Sequence, residues 1–74
     1  MKKLGIIGAM QVEVETLLGC MGEKEAREIA GSVFYEGILE GLPVVVVQCG
    51  VGKVNAAICA QILCSCYGVT HLVN

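Results

Sequence analysis

Four consecutive valines, Val44 to Val47, place the tightest constraint on what this 74-residue chain can become. Branching at Cβ costs valine side-chain freedom in a helix and suits a pleated surface, so the run predicts a strand over Leu42 to Gln48. No polar residue alternates with the valines, so both faces of that strand need cover and it must lie inside a sheet. Pro43 sits at its first residues, where a missing donor is tolerated.

The rest of the chain supplies the cover. Lys3 to Ala9 is a second continuous apolar run, punctuated by Gly5 and Gly8, and reads as another strand buried on both faces. A helix follows it, because Val14, Leu17, Leu18 and Met21 recur at i, i+3, i+4 and i+7, with Gly19 and Gly22 marking its end. Glu23 to Glu28, the only charged stretch, reads as a solvated connection into a strand around Arg27 to Ala30. Gly31-Ser32 and Glu40-Gly41 then offer tight turns on either side of Val33 to Leu39, which predicts an antiparallel meander. Phe34 and Tyr35 alternate faces within it, one toward the core and one at the rim.

Lys53 to Tyr67 has no breaker and is rich in Ala, Ile, Cys and Leu, so it predicts a helix apolar around most of its circumference and unfit to face water. Gly68 closes it, and Thr70-His71-Leu72-Val73 begins a last strand. Strand, helix, β meander, helix and strand make an α/β fold with a mixed β-sheet flanked by helices, residues 1–74 forming one segment of a single domain. At 55% hydrophobic residues the chain has more apolar surface than so small a body hides, which implies more chain, a second copy, or both.

Several functions are disfavoured. The net charge is −2 with scattered lysines and arginines and no Trp, so neither a basic footprint nor a stacking platform for nucleic acid is present. No apolar stretch approaches the roughly 20 residues that span a membrane, and Gln11, Glu13 and Glu15 interrupt any signal-peptide reading. Cysteines 20, 49, 59, 64 and 66 are odd in number and lack C-x-x-C spacing, so they read as reduced thiols of a cytoplasmic protein, acting as small hydrophobes and holding no metal. His71 has no Ser, Cys or paired acid nearby and reads as structural.

Two glycine-containing turns remain, each leaving the C-terminal end of a buried strand for a helix, which is where open α/β sheets bind ligands. In Gly8-Ala9-Met10-Gln11-Val12-Glu13 no N-cap side chain precedes the helix, so its first amides are available to a ligand or water. Glu13 in that first turn fits two readings: it complements the helix dipole, or it orients and deprotonates a water molecule. The second turn, Gln48-Cys49-Gly50-Val51-Gly52-Lys53, is not a P-loop, because Val47 and Val54 occupy the positions that need Gly and Ser or Thr. Asn55 likewise breaks a dinucleotide fingerprint, and Lys53 reads as a solvated helix-start lysine.

Taken together, Gly5-Ile6-Ile7-Gly8-Ala9-Met10 with Glu13, and Gly50-Val51-Gly52-Lys53-Val54, resemble the bacterial methylthioadenosine/S-adenosylhomocysteine nucleosidases of the nucleoside phosphorylase-like superfamily. The likeness runs along the whole chain, through Tyr35-Glu36-Gly37, the Glu40-Gly41 turn and the Ala-rich helix, although Gln11 and Val12 stand where relatives often carry acids. It implies N-glycosidic hydrolysis that releases adenine, without cofactor or metal, in methionine salvage. It further implies Glu13 as the catalytic residue that positions water, Ala9 and Met10 beside the ribose, Val51 against the 5'-alkylthio group, and a homodimer at full length. On the same grounds the chain is expected to be an N-terminal part, inactive alone, with the purine-binding residues and the general acid beyond Asn74. A purine nucleoside phosphorylase, a futalosine hydrolase and a non-catalytic packing module are the alternatives.

Overall fold

The computed structural model describes residues 2–8, 11–48 and 53–73, with 53–55 as backbone only. Its elements are β1 (Leu4–Gly8), α1 (Gln11–Cys20), β2 (Gly22–Ile29), β3 (Ser32–Leu39), β4 (Leu42–Gln48), α2 (Lys53–Tyr67) and β5 (His71–Val73). The five strands form one sheet in the order β2-β3-β4-β1-β5. It is mixed: β2, β3 and β4 run antiparallel in sequence, while β1 lies parallel to both β4 and β5.

The valine run does what its composition requires. Val44, Val45, Val46 and Val47 are all 0% exposed, and they divide between two clusters according to the alternation of a strand. Val44 and Val46 pack with Val14 and Met21, and with Leu4, Ile6, Leu17 and Leu18 around them. Val45 and Val47 pack on the other face with Phe34, Cys59, Leu63 and Val69, joined by Ile7. The stripe read at residues 14, 17 and 18 is thus the inner side of α1, with Met21 joining the same cluster just past its end, and α2 covers the opposite face. Each buried valine contributes roughly 1.5–3 kcal/mol relative to exposure.

The charged stretch needs correction. Glu23 to Glu28 is no loose connection but the body of β2, an outer strand exposed along nearly its whole length and paired with β3. Backbone hydrogen bonds to β3 supply what the side chains do not, and charges on an edge strand discourage another chain from adding to it. A bulge between Gly22 and Glu25, with Glu23 at φ 52°, bends its start. Gly37 accommodates it: a Cβ there would lie 2.8 Å from the Gly22 carbonyl oxygen.

Both hairpins close through two-residue loops, Ala30-Gly31 and Glu40-Gly41, set by the pairings Ile29 with Ser32 and Leu39 with Leu42. All four loop residues have positive φ, 53° and 82° in the first loop and 50° and 79° in the second, the pattern of a type I′ turn. Alanine is strained there, whereas asparagine tolerates that region. Ala30→Asn is therefore expected to stabilise by up to about 1 kcal/mol, read as a rise in thermal midpoint.

Two further expectations meet the structure differently. Cys59 and Leu63 on α2 face the sheet, but Ala57, Ile58, Gln61, Cys64, Ser65 and Cys66 lie outward, with Ile58 44% exposed. The helix expected to be unfit for water thus turns one side to it within this chain. Only Cys59 among the described cysteines is a core residue; Cys20, Cys64 and Cys66 are exposed, because they fall off the inward-facing rows of their helices, and Cys49 lies outside the described residues. Phe34 is fully buried and Tyr35 half-buried, in keeping with one core and one rim aromatic.

Candidate functional site

The parallel pairing of β1 with β4 decides where chemistry can occur. Their register runs from Leu4 beside Val44 to Gly8 beside Gln48, so both strands end at the same level. The two glycine-containing turns, far apart in sequence, therefore start from adjacent points. From there the chain enters α1 on one face of the sheet and α2 on the other. Neighbouring parallel strands whose helices depart to opposite faces leave a crevice between them, the usual ligand position in such sheets.

At this corner α1 begins with Gln11, and Glu13 stands exposed in its first turn. Gln11 is held aside, since its Nε2 donates to Glu15 Oε1 at 2.9 Å along the helix. Thr16 Oγ1 donates to the Val12 carbonyl at 2.8 Å. Glu13 stands exposed at the positive end of the helix, and among the described residues none hydrogen-bonds to it. Ala9, Met10 and Val51 lie outside the described residues, as does the side chain of Lys53. What the structure brings together are the strand ends that carry them.

Reading the sequence missed the contact that seats this helix. Gly8 faces α1, and a Cβ built on it would lie 2.7 Å from Val14 Cγ2. No spacing rule signals it, because residues 8 and 14 belong to different elements across a corner.

A second concavity lies near the other end of β1. It is an open cleft of about 240 Å³ lined by Glu25, Ala26, Arg27, Glu36 and Tyr67. Lys3 Nζ binds Glu36 Oε2 at 2.6 Å and lies 5.7 Å from the centre of the Tyr67 ring. Burial pushes the Tyr67 hydroxyl above its usual range, with Arg27 opposing and Glu36 adding to the shift. Both signs of charge line this cleft, so it favours neither an anion nor a cation. Lys3 and Thr70 also tie β1 to the start of β5, with Lys3 N donating to Thr70 Oγ1 and Thr70 N to the Lys3 carbonyl, each at 2.9 Å. His71 shares a 2.9 Å hydrogen bond with Thr70 Oγ1 and is otherwise exposed. Among the described residues no three His, Cys, Asp or Glu side chains gather to hold a metal, and no helix is long and apolar enough to cross a membrane.

The profile of the phosphorylase superfamily matches residues 3–74. A 5'-methylthioadenosine/S-adenosylhomocysteine nucleosidase of Chromohalobacter salexigens is 43% identical over 74 residues, covering 100% of this chain and 32% of that protein. Among solved structures, the same kind of nucleosidase from Colwellia psychrerythraea 34H, in complex with adenine, superposes with a TM-score of 0.94 at 44% identity, over 99% of this chain and 30% of that one. A futalosine hydrolase mutant of Helicobacter pylori superposes with a TM-score of 0.87 at 26% identity, over 97% of this chain and 33% of that one. The chain spans about a third of the length of the relatives it matches.

Proposed function

The chain belongs to the phosphorylase superfamily, and from that membership we propose that the protein built on it hydrolyses 5'-methylthioadenosine and S-adenosylhomocysteine, releasing adenine. The observation that carries the reading is the level ending of β1 and β4 at Gly8 and Gln48, from which the chain leads to α1, with the carboxylate Glu13 in its first turn, on one face of the sheet and to α2 on the other. The strong likeness to nucleosidases along nearly the whole chain supports it.

In this reaction Glu13 holds a water molecule toward the anomeric carbon and takes its proton as the oxygen–carbon bond forms. The glycosidic bond breaks, and adenine leaves with its electron pair and takes a proton from a general acid that the remainder of the protein supplies. Ala9 and Met10 shape the ribose side and Val51 meets the 5'-alkylthio group, all three excluding water without moving a proton. A carboxylate at the nucleophile's position repels phosphate, so water is favoured over phosphorolysis. The protein works in the cytoplasm, in methionine salvage, as a homodimer. The outward side of α2, with Ile58 exposed, and the exposed Leu72 and Val73 are consistent with a covering partner or further chain.

A hybrid tests this, with residues 1–74 replacing the matching segment of the Colwellia psychrerythraea nucleosidase. Adenine release from methylthioadenosine in phosphate-free buffer, with methylthioribose as co-product and no response to added phosphate, is the expected result. A rate that requires phosphate and yields a ribose 1-phosphate would select a phosphorylase instead.

A further inference from the structure

We propose that Gly8 is a positioning residue for Glu13, acting through Val14; the proposal rests on the role given to Glu13 above. Gly8 ends β1 and points to the same face as Leu4 and Ile6, toward α1. A side chain at Gly8 would meet Val14 Cγ2 at 2.7 Å, closer than Cβ atoms come to their neighbours. Val14 cannot turn aside. A valine in a helix has one strongly preferred rotamer, and Val14 is 3% exposed, in a cluster with Met21, Val44 and Val46. The strain would pass into the backbone of α1.

Glu13 immediately precedes Val14, so a shift of that turn carries the carboxylate with it. Glu13 is exposed in the first turn of α1, so its position follows how the helix sits against the strand. The bare Cα of Gly8 thus sets the distance between the end of β1 and the catalytic carboxylate. Displacing a catalytic group by about 1 Å can lower a rate roughly 100-fold. Gly37 offers a contrast beyond the other end of α1: a Cβ there would strike the Gly22 carbonyl oxygen at 2.8 Å and meet Met21 Cε, the tip of a flexible side chain, at 3.0 Å, by the bulge of the outer strand.

The test compares Gly8→Ala, Gly8→Ala with Val14→Ala, Gly37→Ala and Glu13→Gln in the hybrid, with kcat and KM measured well below each unfolding midpoint. Gly8→Ala is expected to lower kcat roughly 10- to 100-fold with KM little changed. Adding Val14→Ala removes the methyl group that clashes and should restore most of kcat while lowering the unfolding midpoint further. Gly37→Ala should lower the midpoint and leave kcat alone, separating instability from misplacement. An unchanged kcat in Gly8→Ala, or a loss that Val14→Ala does not relieve, would overturn the positioning role while leaving Glu13 its own. Normal turnover in Glu13→Gln would overturn the role of Glu13 and this proposal with it.

Discussion

Glu13→Gln in the hybrid is expected to lower methylthioadenosine hydrolysis roughly 10²- to 10⁴-fold, the range that general base catalysis supplies. The amide keeps the size of the carboxylate and can still hold water, but it cannot accept the proton that leaves as the new bond forms. KM should change little for that reason. Glu13 is exposed in the first turn of α1, and the replacement leaves Val14 seated, so folding stability should fall by no more than the roughly 0.3–1 kcal/mol of a first-turn charge. If Glu13 served only the helix dipole, the same small stability loss would come with the rate intact. Glu15→Gln is the companion measurement. Glu15 accepts a hydrogen bond from Gln11 on the same helix, so this change removes an equal charge two residues away. Turnover unaffected by Glu15→Gln and collapsed by Glu13→Gln would tie the effect to one carboxylate; wild-type turnover in Glu13→Gln would end the assignment.

The fold was most legible where burial and backbone preference agree. Val44 to Val47 announce a covered strand because β-branching and the lack of polar alternation point the same way, and all four are fully buried. The α1 stripe was legible because a helix repeats its contacts, and Val14, Leu17, Leu18 and Met21 do meet one cluster. β2 was read only at its end, around Arg27 to Ala30, since an outer strand with little but Ile29 against the core carries no alternation and its order comes from the backbone of β3. What covers the outward side of α2 was not legible, because hydrophobic composition states how much apolar surface a helix carries, not what lies against it.

The candidate site divides in the same way. Glu13 could be singled out because first-turn acids stand in a known field and because the turn before it lacks a capping side chain. That both turns start side by side could not be read locally, as it follows from the parallel register of strands about forty residues apart. Gly8 was seen as a turn residue, while its function of admitting Val14 belongs to packing between elements.

Phe34→Ala should be among the most damaging single changes in the segment, at about 3–5 kcal/mol by the usual cost of emptying an aromatic core position. Phe34 is 0% exposed, lies opposite Val47 across the β3–β4 pair, and stacks on Tyr67 with 5.7 Å between ring centres. It also shares a cluster with Cys59 and Leu63, so its ring joins β3 to the inner side of α2 at several points. Truncation leaves a space that a central strand and a 15-residue helix cannot both move to fill. Tyr35 next to it lies opposite Val46 on the other face and is only half-buried, so Tyr35→Ala should cost roughly 1 kcal/mol, near the centre of the distribution for point changes. Urea unfolding of the two variants in the hybrid, followed by far-UV circular dichroism with the slope held common, reads the difference directly. A larger loss from Tyr35→Ala than from Phe34→Ala would mean that β3 presents its other face to α2, because a one-residue slip of register exchanges the two sides of a strand.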